Sequence, residues 1–133
     1  KLYAKSGEPL TAQEKADLRP MFGSLVDEVR VHYNSWLPAF KVDGKVIIGV
    51  EAAAMTFGDH IYVREGYRDS IFRSALFAHE LRHTQQYRAA GGTLGFATQY
   101  CRQIPPAFFD YDRIAFERDA AQVEQRFLDS QMN

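Results

Sequence analysis

The stretch Ala75-Leu76-Phe77-Ala78 runs directly into His79-Glu80-Leu81-Arg82-His83, and this junction constrains the fold more than any other segment. Asp69 or Ser70 can cap a helix there that passes through Leu76, Phe77 and Leu81 towards Ala90, and Gly91-Gly92 is a strong stop signal. The first turns of that helix are apolar on nearly every side. Such a helix belongs in the centre of a domain, packed beneath a sheet. Histidine and glutamate side chains carried into that setting need partners, because a buried polar group without one is costly.

The rest of the chain supplies the elements to surround it. Thr11-Ala12-Gln13-Glu14 has the form of a capping box, so a short helix follows and is expected to stop around Pro20. Val29, Val31 and Tyr33 alternate with Arg30 and His32, the period of a half-buried strand. Asp43-Gly44 separates two β-prone pieces, Phe40 to Val42 and Lys45 to Val50, and predicts a tight hairpin. Gly58-Asp59 predicts a second hairpin, between Met55 to Phe57 and His60 to Arg64. After the central helix, another spans Leu94 to about Gln103 and ends before Pro105-Pro106. Asp112 then caps a last helix with an apolar stripe of Phe116, Ala120, Val123 and Phe127. The order predicts one α+β domain over residues 1–133, a small, mostly antiparallel sheet on the central helix followed by C-terminal helices.

Residues four apart on a helix share a face, so His79 and His83 can aim two imidazoles at a single ion. Zinc accepts such nitrogens and tolerates the open coordination position that hydrolysis needs. Glu80 is then placed beside the ion rather than on it, where a carboxylate can act as the catalytic base. No histidine follows His83, and position 89 is Ala89, so a carboxylate from the later helix is the natural third ligand. Asp110, Asp112, Glu117, Asp119 and Glu124 are the candidates. Glu117 shares a face with Ile114 and Ala121 and should look inward, and Glu124, two turns on, is the reserve.

Other residues carry weaker signals. His32 and His60 belong to strands and are more often structural than ligands. Gln85, Gln86 and Asp119 are candidates for orienting ligands through hydrogen bonds. Tyr87, Tyr100 and Tyr111 are candidate donors to an oxyanion. The strand from Ile61 to Arg64 is a candidate cleft edge for pairing with an extended substrate.

Composition removes other classes. In 133 residues, 16 basic and 17 acidic side chains leave a net charge of −1, without the basic footprint of a nucleic-acid binder. No apolar stretch approaches the length of a membrane span. Cys101 is the sole cysteine, which excludes an internal disulfide and any cysteine cage for a metal. The first residue is Lys1 rather than methionine, the expectation being a removed signal peptide or a trimmed chain, compatible with a secreted or periplasmic location.

Several pieces together resemble a bacterial family of small HExxH zinc-peptidase-like domains, long catalogued as a domain of unknown function and often attached to toxin or secretion-linked proteins. They are Met21-Phe22-Gly23, Val29-Arg30-Val31-His32, Ala54 to Val63, Leu76 to Gln86 and Phe116-Glu117-Arg118-Asp119-Ala120, spanning roughly residues 20 to 122. The resemblance implies a zincin-like fold and a Glu-zincin ligand set in which Glu117 is the third ligand beside His79 and His83. Arg82-His83-Thr84 and the segment Lys41 to Val50 depart from the family pattern, which bears on substrate preference more than on metal chemistry. The expected function is hydrolysis of a peptide or protein substrate by zinc-activated water. The rival expectation is a zinc-binding interaction module without catalysis.

Overall fold

The computed structural model describes residues 7–35, 40–42, 45–48, 53–67, 73–107 and 114–132. Helix α1 (Ala12–Phe22) opens on the expected capping box: the Glu14 amide donates to Thr11 Oγ1 at 3.2 Å and the Thr11 amide to Glu14 Oε1 at 2.8 Å. It does not stop at Pro20. The proline forfeits one backbone hydrogen bond, but Leu18 and Phe22 on either side of it are buried, and their packing carries the helix on to Phe22.

A 3-10 turn (Gly23–Asp27) leads into strand β1 (Arg30–Ser35), and the short strands β2 (Phe40–Val42) and β3 (Lys45–Ile48) pair antiparallel with each other. The Asp43-Gly44 turn between them lies outside the described residues. Strands β4 (Ala54–Phe57) and β5 (His60–Arg64) form the second expected hairpin, turning at Gly58-Asp59. The main sheet has the order β1-β5-β4, with β1 and β5 parallel and β4 and β5 antiparallel. It is therefore a mixed sheet and not the mostly antiparallel one its sequence predicts. The reason lies in the connection: β2, β3 and β4 give the chain enough length to return and lay β5 alongside β1 in the same direction. The segment Ile61 to Arg64, expected at a cleft edge, is the central strand. The edge strands are β1 and β4.

Helix α2 (Arg73–Ala89) carries the HExxH residues and lies between β4 and helix α4 (Ala115–Met132). The expected caps Asp69 and Ser70, and Asp112 before α4, fall outside the described residues. At the end of α2 the Gly91 amide donates to Arg88 O at 3.2 Å and the Gly92 amide to Tyr87 O at 2.9 Å. Both glycines have left-handed backbone, with φ of 83° and 119°, which side chains disfavour. Helix α3 (Thr93–Ala107) passes the expected stop at Gln103 and includes Pro105 and Pro106. In its last turn the two prolines remove donors without breaking the ladder behind them. No described helix is long and apolar enough to cross a membrane.

The inner face of the sheet, with Ile61 and Val63, closes on Phe77, Ala78 and Leu81 of α2 in one core, and Val123 and Phe127 of α4 complete it from the other side. A smaller cluster of Tyr87, Phe96, Tyr100 and Ile114 fills the junction of α2, α3 and α4. Among the described residues the result is an α+β fold of four helices and a small mixed sheet. Phe77 is 0% exposed at the centre of the larger core. Phe77→Ala is expected to lower the unfolding free energy by about 3–5 kcal/mol, read from urea denaturation, and a loss below about 1 kcal/mol would contradict this packing.

Candidate metal centre

Helix α2 sets His79 and His83 one turn apart, with ring centroids separated by 5.0 Å. Helix α4 crosses beside them and brings Glu117, in its first turn, between the two rings. Glu117 Oε1 lies 3.2 Å from His79 Nε2 and 2.9 Å from His83 Nε2. One atom from each of the three residues thus falls within 4.8 Å of the others, the one such group of three or more ligating side chains among the described residues. Around a tetrahedral zinc with ligand distances of about 2.0–2.1 Å, neighbouring donors lie about 3.3 Å apart. The donor set and its spacing fit that ion.

The hydrogen bonds behind these atoms fix which nitrogens face inward. The Gln86 amide nitrogen donates to Phe116 O at 3.1 Å and Asp119 Oδ2 at 2.9 Å, so Gln86 Oε1 must face His83. It accepts from His83 Nδ1–H at 2.7 Å, leaving Nε2 as the ligating atom. Likewise His79 Nδ1–H donates to Glu124 Oε1 at 3.0 Å, and Nε2 points to Glu117. Glu117 Oε2 accepts from the Tyr100 hydroxyl at 2.9 Å, which directs Oε1 at the histidines. Glu124, the reserve ligand in sequence, is thus an orienting partner of His79. Asp119 reaches His83 at one remove, through Gln86, and also accepts from Arg82 Nε at 2.7 Å. Gln85 accepts from Arg82 at 3.0 Å.

Glu80 is 3% exposed and turns towards β4, where its Oε1 accepts from Thr56 Oγ1 at 2.7 Å. The Tyr87 hydroxyl donates to Thr56 O at 3.0 Å and stitches the same strand to α2. Tyr87 and Tyr100 are both buried and each has its proton engaged, and Tyr111 lies outside the described residues with Asp110 and Asp112. Thr56 is the functional neighbour that sequence reasoning missed. Its only signal was an inward position on a strand.

His32 and His60 do not join this centre. They meet each other on the opposite face of the sheet, with His32 Nε2 and His60 Nδ1 2.9 Å apart.

The electrostatics of His79, His83 and Glu117 are coupled. Burial alone works against charge on His79, but hydrogen bonds to Glu117 and Glu124 outweigh it and raise its pKa to about 10. His83 is likewise opposed by burial and raised by Glu117. Burial pushes Glu117 up, and the two histidine bonds more than reverse this and hold it below the carboxylate range. Burial also lifts the Tyr87 hydroxyl to about 12 and Tyr100 higher still. A cation binding at the Nε2 atoms takes the place of protons that Glu117 holds there. At pH 7 the His79 imidazole is protonated, so a cation binding there would release a proton, and its apparent affinity would grow as pH rises towards 10. Dye-competition titrations at pH 6, 7 and 8 are expected to show up to about tenfold tighter binding per unit for each proton displaced. Affinity independent of pH would contradict the coupling.

The sequence model of the eCIS core domain family matches residues 9–91, more than half of the chain. No curated protein and no solved structure matches it. The matched span runs from α1 to the end of α2 and includes Thr56, His79, Glu80 and His83. Tyr100, Glu117 and Glu124 lie beyond it.

Proposed function

The chain belongs to the eCIS core domain family, a domain of extracellular contractile injection systems by its description, and we propose that in this setting it is a zinc-dependent metallopeptidase. The observation that carries the reading is Glu117 Oε1 within 2.9 and 3.2 Å of both Nε2 atoms, on a helix whose next residue after His79 is Glu80. His79, His83 and Glu117 would hold zinc as a two-histidine, one-carboxylate set of zincin-like type, leaving a position open. Zinc at such a site lowers the pKa of water towards neutrality and polarises a carbonyl.

The chain's own residues do the rest. Glu80 takes a proton from the attacking water and passes it to the leaving amine nitrogen as the C–N bond breaks, giving a carboxylate and an amine. Thr56 Oγ1 holds one oxygen of that carboxylate at 2.7 Å, which sets the direction of the other. Glu80 is close enough that its charge helps to raise both imidazoles. Strand β4, the edge strand that carries Thr56, is where an extended peptide would lie by strand addition.

A second reading, a zinc-binding interaction module without catalysis, is favoured by one observation. Glu80, His83 and Glu117 are 3%, 6% and 7% exposed, which leaves a substrate little of their surface. The two readings separate in one experiment. With the parent, zinc-loaded protein and a fluorogenic peptide library, the peptidase reading expects cleavage, and Glu80→Gln is expected to keep its zinc and lose at least about a hundredfold in rate. Cleavage by Glu80→Gln at the parental rate overturns the mechanism. A parent that binds zinc, gains thermal stability and cleaves no peptide establishes the interaction module.

A further inference from the structure

The face of the sheet turned away from α2 carries a second pair of imidazoles. His32 on β1 and His60 on β5 are half-buried and lie on neighbouring parallel strands, with Arg30 paired to His60 and His32 to Tyr62. Their nearest nitrogens, His32 Nε2 and His60 Nδ1, are 2.9 Å apart and their ring centroids 5.2 Å, close to the 5.0 Å between His79 and His83. Tyr62 stacks on His32 at 4.5 Å with an interplanar angle of 11°, and Phe57 meets Tyr62 edge-on at 5.9 Å. The His32 ring is thus held by an aromatic neighbour.

The backbone at Gly7 crosses the edge of that ring and packs against it. A Cβ on Gly7 would sit 2.9 Å from both Cε1 and Nε2 of His32, and Gly7 has a φ of +95°. Glycine alone fits that place, in space and in backbone. Glu8 beside it is fixed by two backbone hydrogen bonds of 2.7 Å with Val31.

We propose that His32 and His60 form a second metal site, a cis pair for a divalent transition cation of tetragonal preference such as Ni2+ or Cu2+. The separation supports this: two nitrogens at about 2.0–2.1 Å from one ion and at right angles to each other lie about 2.9 Å apart. The same distance is that of an N–H···N bond, in which one imidazole donates. On binding, that imidazole carries its proton on its other nitrogen instead, both lone pairs face the ion, and no net proton is lost. Water completes the shell, so this site is the weaker and more accessible of the two, and its order of preference follows Cu2+ above Ni2+.

The test is Ni2+ titration of the full chain after chelator treatment, followed by calorimetry, on the parent, His32→Gln, His60→Gln and His83→Ala. The expected result is two equivalents bound by the parent and one fewer by His32→Gln and by His60→Gln, while His83→Ala keeps the equivalent that those two lose. Equal uptake by the parent and the two glutamine variants overturns the proposal. A single equivalent that only His83→Ala loses also overturns it and leaves the α2 centre standing. A single equivalent lost only by the glutamine variants supports it and removes that centre. Should the glutamine variants fail to fold, NMR of the parent decides: Ni2+ is expected to broaden the His32 and His60 ring resonances, and sharp resonances at two equivalents reject the site.

Discussion

One carboxylate oxygen between two imidazoles organises this molecule. Glu117 Oε1 reaches His79 and His83 at 3.2 and 2.9 Å, and with it α4 is locked against α2. An isolated carboxylate with an exposure of 7% would be expensive to keep ionised. Here it is surrounded by donors, with Tyr100 on its second oxygen and the histidines on its first. The polar knot then extends outward through Gln86, Asp119 and Arg82 on one side and Glu124 on the other. Each member is satisfied, which is the condition under which a buried polar network fixes a structure rather than weakening it. One group does not fit the pattern: Thr84 Oγ1, buried beside His83, has no hydrogen-bond partner among the described residues.

The parts of this arrangement that sequence made legible are those set by local periodicity. The four-residue spacing of His79 and His83, the capping box at Thr11 and Glu14, and the Gly58-Asp59 hairpin each depend on neighbours in the chain. Glu117 as an inward residue was also legible, because Ile114 on its face is fully buried, though Ala121, which shares that face, is exposed. What escaped was set by distant contacts. The direction of β5 depends on how far the chain travels before it returns, and no residue in Ile61 to Arg64 records it. Pro20 reads as a stop in any local rule, yet the buried flanks of α1 carry the helix past it. Thr56 acquires its meaning only because β4 packs where Glu80 turns. The meeting of His32 and His60 follows from the same parallel pairing and was equally invisible.

The matched family segment and the candidate ligand set do not coincide. Residues 9–91 include the histidines and Glu80, while the carboxylate that joins them comes from α4. A two-histidine helix without that carboxylate holds a metal weakly and leaves its buried imidazoles with fewer partners. The helices after Gly91-Gly92 are therefore part of the same chemical unit as the sheet, joined to it through the larger core as well, where Val123 and Phe127 meet the α2 side chains.

Helix α2 is tied at both ends. Near its start Arg73 Nε donates to Glu14 Oε2 at 2.6 Å, and near its finish Arg88 bonds Asp59 and Glu28, each at 2.9 Å. The exposed ties are individually weak, but they pin the rod to α1, to the β4–β5 turn and to the residue after the 3-10 turn at once. A rod so braced behaves as a fixed bench on which the two rings are mounted. The opposing jaw is the first turn of α4, so the shape of the polar knot is decided by how that turn seats on the bench.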